Sequence, residues 1–164
     1  MTSKKIIIVG AGLCGSLLAL RMVQRGFEVV LYEKRPDMRN HELDAGRSIN
    51  LALSSRGLMA LEKAGLRGTV DEKCIPMRGR LVHPLGGKAF FSPYSGRDND
   101  YINSVSRPGL NALLLDEADK YDALRVHFNA DVQSVDLENA AVSGVDRVSG
   151  EAFNDEGSIV IGTD

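Results

Sequence analysis

The chain is poor in the residues that bind metal ions or form disulfides. It has two cysteines, Cys14 and Cys74, and three histidines, His41, His83 and His127. Neither set shows the close, paired spacing of a zinc site or of a disulfide framework. We therefore expect no metal site, and so few cysteines are typical of a protein from a reducing compartment.

A charge excess of either sign and a long hydrophobic run are also missing. The 20 Lys and Arg residues nearly balance the 22 Asp and Glu residues, which argues against nucleic acid or an anionic membrane as a partner. The longest apolar run near the start, Ile6 to Val9, is far too short for a membrane span or a signal sequence. A chain of 164 residues suits one domain, and we expect a cytoplasmic protein with small-molecule partners.

No side chains form a recognisable catalytic set. The sequence offers no Ser-His-Asp arrangement, no catalytic Cys-His pair and no pair of close carboxylates. Nucleophilic and acid-base catalysis by the protein itself therefore have no candidate residues. We therefore name no catalytic residue.

The N-terminal part has the pattern of a β-α-β unit. The apolar, β-branched run Lys4–Val9 predicts a buried parallel strand. Apolar residues at helical spacing predict a helix over Leu13–Arg25, with Gly26 at its C-terminal cap. A second buried strand is predicted over Phe27–Tyr32.

The remaining pattern mixes strands and helices. After a charged loop, Ser54 or Ser55 can cap a helix that Gly65 ends, and Pro108 suits the first turn of a helix that reaches Tyr121. A turn signal at 84–87 predicts a hairpin. The predicted strands are Ser48–Leu53, Arg78–His83, Lys88–Phe91, Tyr101–Ser106, Leu124–Phe128, Asp131–Leu137, Ala140–Val145 and, after a turn at Asp155–Gly157, Ser158–Ile161.

These elements predict an α/β fold in which an antiparallel hairpin is inserted into a parallel sheet. A simple doubly wound sheet does not need such an insertion. The last predicted strand runs into Gly162 and the sequence then stops, so we expect a fragment whose sheet is incomplete at the C-terminus.

The turn after the first strand fits G-x-G-x-x-G, as Gly10-Ala11-Gly12-Leu13-Cys14-Gly15. The first glycine permits a sharp turn, the second lets backbone approach a pyrophosphate, and the third lets the helix pack closely against the sheet. The helix that begins near Leu13 offers its N-terminal N–H groups and its dipole to a phosphate. We expect Cys14 to be a small packing residue rather than a redox thiol.

Glu33 ends the second strand, where its carboxylate can accept hydrogen bonds from ribose hydroxyls. A carboxylate at this point disfavours a 2′-phosphate on that ribose, so FAD or NAD fits better than NADP. The residues alone leave FAD and NAD open.

Several segments resemble one family when they are considered together. They are the glycine loop, Tyr32-Glu33-Lys34-Arg35-Pro36, residues 46–54 (GRSINLALS), Pro76-Met77-Arg78-Gly79-Arg80, Pro93-Tyr94, and residues 104–107 (SVSR) with Leu110-Asn111. In this order they are similar to the N-terminal third of the kynurenine 3-monooxygenases, which are class A flavin hydroxylases. The resemblance implies that residues 1–164 are the N-terminal part of a Rossmann-like FAD-binding domain, with 76–104 as inserted strands of the substrate region.

The resemblance also implies site residues. Glu33 would bind the adenosine ribose, Arg107 is the arginine that binds the flavin nucleotide, and Val132 would contact FAD through its backbone. Arg80 and Tyr94 match the residues that hold the amino-acid end of kynurenine; from the residues alone, Arg80 would be an ordinary surface arginine. The full cofactor set is Gly10, Gly12, Leu13, Cys14, Gly15, Tyr32, Glu33, Lys34, Arg35, Arg47, Ala52, Arg107 and Val132.

The activity that the resemblance implies is FAD-dependent hydroxylation of L-kynurenine to 3-hydroxykynurenine, in tryptophan catabolism toward quinolinate and NAD. NADPH would reduce FAD, molecular oxygen would give a C4a-hydroperoxyflavin, and the 164-residue chain alone would be inactive. The alternatives are a hydroxylase of another aromatic acid, an NAD-dependent dehydrogenase and a non-catalytic dinucleotide-binding module.

Overall fold

The structure, a computed structural model, describes residues 4–40, 50–97 and 100–163. Arg47, one of the predicted cofactor residues, lies outside these ranges. The elements in chain order are β1 (Lys5–Val9), α1 (Leu13–Val23), β2 (Glu28–Tyr32), β3 (Asn50–Leu53), α2 (Ser55–Lys63), α3 (Arg67–Lys73), β4 (Ile75–Met77), β5 (Gly79–Val82), β6 (Phe90–Pro93), β7 (Ile102–Ser106), α4 (Arg107–Ala118), β8 (Leu124–His127), β9 (Ala130–Asp136), β10 (Ala141–Asp146), β11 (Ala152–Glu156) and β12 (Ile159–Gly162).

The chain divides into two compact units. The first joins Met1–Arg47 to Pro108–Asp164, and the second is Ser48–Arg107. The range 76–104, predicted as inserted strands of a substrate region, falls inside the second unit.

A parallel sheet forms the centre of the first unit. Its strand order is β12-β1-β2-β8, and Ile7 in β1 lies opposite Val30 in β2 and Val160 in β12. Alternate residues of β1 enter cores on both faces of the sheet: Ile6 and Ile8 pack with α1, and Ile7 packs with β10. Burial on both faces explains why β1 is a continuous β-branched run.

An antiparallel sheet of order β11-β10-β9 packs on one face of the parallel sheet. The Tyr32 ring stacks between Phe153 and His127, with ring centroids 5.0 Å and 5.1 Å away. Its hydroxyl donates to the carboxylate of Asp155 at 2.9 Å, which also pairs with Lys5. The predicted turn at Asp155–Gly157 is therefore partly wrong: Asp155 and Glu156 end β11, because Lys5 and Tyr32 satisfy the carboxylate on the inner side.

The second unit contains a three-stranded antiparallel sheet of order β3-β7-β4 and the β5-β6 hairpin. The hairpin confirms the turn signal at 84–87. Helix α3 was not predicted, because it is seven residues long and buries only Val70. In the ranges that the structure describes, no helix has the length and apolar character that crossing a membrane requires.

Candidate functional site

The glycine loop joins β1 to α1 at the carboxyl end of the parallel sheet. Gly10 has φ +105°, and its N–H donates to the carbonyl of Tyr32 at 2.8 Å. At Gly15 a Cβ atom would lie 1.9 Å from the Gly10 carbonyl oxygen. The loop therefore requires glycine at both positions, one for a left-handed backbone and one for close approach.

Four side chains hold the peptide groups of this loop. The Ala11 N–H donates to Glu33 Oε2 at 2.9 Å. The Ala11 carbonyl accepts from Ser16 Oγ at 3.1 Å and from Asn111 Nδ2 at 2.8 Å. Thr163 Oγ1 donates to the carbonyl of Gly10 at 2.8 Å. The loop is thus fixed by residues from α1, α4, the end of β2 and the residue that follows β12.

The loop presents the N-terminus of α1. Gly12 is the N-cap residue, and α1 has neither a side-chain cap nor an acidic residue in its first turn. A Cβ atom added at Gly12 would meet nothing within 4 Å among the residues that the structure describes, so the loop leaves open space there. The uncapped N–H groups and the helix dipole can bind an anion in this space. Cys14 is exposed in the first turn, and the expectation that it is a small packing residue is wrong.

Glu33 connects the glycine loop to the loop that follows β2. The residue is 6% exposed, and its Oε1 accepts from the backbone N–H and Nε of Arg35 at 3.0 and 2.7 Å. Burial alone would raise the pKa of this carboxyl group, but hydrogen bonds from Arg35 and Ala11 outweigh it and lower the pKa below its ordinary value. Glu33 is therefore a buried, charged acceptor at the carboxyl end of β2.

A cleft of about 320 Å³ opens beside Glu33. The N–H of Ala130 donates to the carbonyl of Glu33 at 2.9 Å, which brings the start of β9 to the end of β2. The cleft thus collects several of the predicted cofactor residues from three strand ends. It is lined by Val9, Gly10, Tyr32, Glu33, Lys34, Arg35, Ala130, Asp131 and Val132.

Two more predicted cofactor residues lie in the second unit. Ala52 is exposed on β3 and lies opposite Ser104. Arg107 is exposed at the first position of α4 and follows Ser106, which lies opposite Asn50. The β3-β7 pairing therefore brings the two predicted residues to the same pair of strands.

Arg80 and Tyr94 lie on the β5-β6 hairpin. Arg80 is opposite Ser92, and the Tyr94 N–H donates to the carbonyl of Arg78 at 3.0 Å, which continues the ladder. Because side chains alternate along a strand, Arg80, Ser92 and Tyr94 fall on one face of the hairpin. Arg80 is exposed and Tyr94 is 42% exposed, so both can reach a ligand.

Sequence reasoning did not assign Ser16, Asn111 or Thr163 to the site. Each holds a backbone carbonyl of the glycine loop. Asn111 appears only as part of a family-like segment, and Thr163 is 153 residues from Gly10. No local pattern marks such long-range contacts, so only the fold reveals them.

Comparisons of sequence point to one group of enzymes. Residues 8–50 match the NAD(P)-binding Rossmann-like domain family. Over 159 residues, 97% of the chain, 45% are identical to a kynurenine 3-monooxygenase of Myxococcus xanthus (strain DK1622), covering 34% of that protein. The kynurenine 3-monooxygenase of Anopheles gambiae is 44% identical over 97% of the chain and 33% of its own length. The chain thus spans about a third of the length of these curated relatives.

Solved structures show the same fold at low identity. The p-nitrophenol 4-monooxygenase PnpA from Pseudomonas putida DLL-E4 matches with a TM-score of 0.78 and 16% identity, over 99% of this chain and 41% of that one. The flavin-dependent monooxygenase PieE, solved with FAD and substrate, matches with a TM-score of 0.78 and 17% identity, over 99% of this chain and 30% of its own. The predicted α/β class, with a parallel sheet and antiparallel strands, is confirmed.

Proposed function

We propose that the chain supplies the dinucleotide-binding part of an FAD-dependent, NADPH-using monooxygenase that hydroxylates L-kynurenine. The proposal is supported by the similarity to the kynurenine 3-monooxygenases along nearly the whole length of the chain. The proposal rests on one geometric observation above all. The Ala11 N–H donates to Glu33. This bond joins the glycine loop, which would bind the pyrophosphate, directly to the carboxylate that would bind the ribose.

FAD fits the glycine loop and the cleft beside Glu33. The open space at Gly12 admits a pyrophosphate close to the backbone, and the cleft beside Glu33 continues along Lys34, Arg35 and Val132. When bound, FAD supplies the redox and oxygen chemistry, which explains why no protein nucleophile is needed. The protein binds and orients the flavin nucleotide.

The ribose has to share Glu33 with Arg35. The guanidinium of Arg35 takes both carboxylate oxygens, through Nε at 2.7 Å and one terminal nitrogen at 3.1 Å. Its side chain is 67% exposed, so it can turn toward water or toward the ligand at low cost. We expect the ribose hydroxyls to replace the guanidinium on the carboxylate while the bond from Ala11 stays.

For the substrate, Arg80 and Tyr94 are the proposed contacts. A guanidinium binds a carboxylate through two parallel hydrogen bonds, and a tyrosine hydroxyl can add another. Their common face on the hairpin allows both to reach the amino-acid end of one kynurenine molecule.

The proposal is tested in a chimera, in which this chain replaces the matching 159 residues of the Myxococcus xanthus relative. We expect L-kynurenine to stimulate NADPH oxidation and to yield 3-hydroxykynurenine. Arg80→Ala should raise the KM for kynurenine about 10- to 100-fold, because a charged hydrogen bond contributes about 1.5–3 kcal/mol. The measurement combines NADPH absorbance with chromatography of the product.

Arg125→Ala is the matched control, since Arg125 is an exposed strand arginine on β8. If the chimera binds flavin but 4-hydroxybenzoate, not kynurenine, stimulates oxidation, the substrate assignment is wrong and the cofactor assignment stands. If the chimera does not bind flavin, the substrate assignment and the cofactor assignment are both wrong.

Gly12→Ala separates binding from folding. Within the described ranges the added methyl group meets no atom closer than 4 Å, and φ is −71°, so we expect an unfolding free energy within about 0.5 kcal/mol of the unaltered chain. The methyl group would, however, occupy the space in which the phosphates approach, and FAD affinity should fall at least about tenfold. Calorimetric titration with FAD, next to a thermal melt, checks both. Unchanged affinity would show that the pyrophosphate does not approach Gly12.

A further inference from the structure

Asn111 is a buried amide with one unused group. It is 6% exposed, and its Nδ2 donates to the Ala11 carbonyl at 2.8 Å and to Met38 Sδ at 3.1 Å. Because both partners only accept, the amide orientation is fixed with nitrogen toward the loop. Among the residues that the structure describes, Oδ1 of Asn111 is the one buried side-chain polar atom with no partner.

The Ala11 carbonyl does not depend on Asn111 alone for a hydrogen bond. The Ala11 carbonyl already accepts a hydrogen bond from Ser16 Oγ at 3.1 Å, so it stays satisfied without Asn111. The unpaired Oδ1 carries a desolvation cost that an apolar side chain of similar size would avoid. The hydrogen bond of Asn111 to the main chain is made to the glycine loop.

The contact orients one peptide group. The Ala11 carbonyl and the Gly12 N–H belong to the same planar trans peptide, so they point in opposite directions. Ser16 and Asn111 both donate to this carbonyl, so the Gly12 N–H points away from these two side chains.

We propose that Asn111 is a positioning residue of the phosphate loop, which fixes the Ala11–Gly12 peptide so that the Gly12 N–H meets the bound pyrophosphate. This inference rests on the proposed function, because it needs a dinucleotide on the loop. Asn111 acts through Ala11 and contacts no phosphate itself. A loop with a rotating peptide would have to order it on binding, which lowers affinity.

Asn111→Leu tests the proposal in the chain itself. We expect the variant to melt at the same temperature as the unaltered chain or higher, since the unpaired Oδ1 is gone. Its affinity for FAD, and for ADP as a probe of the loop alone, should fall about tenfold, which corresponds to one lost hydrogen bond. Combined with Ser16→Ala, the loss should exceed the sum of the single losses, because the carbonyl then has neither donor.

Asn154→Leu, an exposed asparagine on β11, is the matched control and should change neither property. Asn111→Ala repeats the test with a smaller side chain if the leucine is not accommodated. Unchanged affinity in a folded Asn111 variant overturns the inference and leaves the proposed function intact. A drop in melting temperature that accounts for the lost affinity also overturns it. If the unaltered chain binds neither FAD nor ADP, the proposed function falls and the inference falls with it.

Discussion

Gly15→Ala is expected to lower the free energy of unfolding by about 3 kcal/mol, the upper end of the usual cost of overpacking. The added Cβ would lie 1.9 Å from the Gly10 carbonyl oxygen and 2.6 Å from Thr163 Oγ1. The carbonyl cannot move away easily, because the Gly10 N–H is bonded to the Tyr32 carbonyl and its own oxygen to Thr163. Helix α1 must therefore shift away from β1 and lose core contacts.

Urea denaturation measures this effect as a lower midpoint with an unchanged slope. Gly12→Ala is the internal control, since it adds the same methyl group three residues earlier in open space. A Gly15→Ala variant with the midpoint of the unaltered chain would show that α1 and β1 are not held as closely as the structure describes.

Glu33→Gln should weaken both the fold and the binding of the dinucleotide. The variant lacks the charged carboxylate that accepts from the Ala11 N–H. The amide N–H groups of the glutamine would face N–H donors of Ala11 and Arg35 and could not bond to them. We expect the free energy of unfolding at pH 7 to fall by about 2 kcal/mol, the contribution of a charged hydrogen bond. Arg35 contributes little to this loss, because its exposed side chain can return to water. FAD affinity should fall about 10- to 100-fold with the loss of the ribose acceptor.

The effect of this substitution depends on pH. The pKa of Glu33 is lower in the folded chain than its ordinary value, so the charged carboxylate stabilises the fold above the unfolded pKa of about 4.3. That contribution is lost as the pH falls through the lower, folded pKa. The stability difference between the unaltered chain and Glu33→Gln should therefore shrink from pH 7 to about pH 3. Glu138→Gln, at an exposed turn position, should show neither the loss nor the pH trend.

The sequence predicted the β1-α1-β2 unit because its signals are local. Buried strands between glycines give continuous β-branched runs, and each structural bound lies within two residues of the prediction. The strand β11 was missed for the opposite reason. Three of the five residues in its sequence, AFNDE, are polar, and its place depends on Lys5 and Tyr32, which pair with Asp155 from the parallel sheet.

The candidate site shows the same division. The glycines and Glu33 could be predicted as site residues, because each lies next to a predicted strand or helix. Ser16 and Asn111 are not, since an alcohol or amide in a helix usually faces solvent or caps an end. Tyr32 was predicted only as a cofactor residue, yet its ring also joins the two sheets of the first unit. Arg80 and Tyr94 remain predictions that rest on their shared hairpin face.

The pairing of β1 with β12 also sets the order of events during synthesis. Ile6 lies opposite Ile159. The strand β1 therefore cannot pair with β12 until more than 150 further residues have been synthesised. Loop closure over such a separation is entropically costly, and parallel pairings of this kind slow folding. The Thr163 hydroxyl, which holds the Gly10 carbonyl, arrives with that late strand. During synthesis the glycine loop is therefore made well before β12, and the hydrogen bond from Thr163 can form only after β12 has paired with β1.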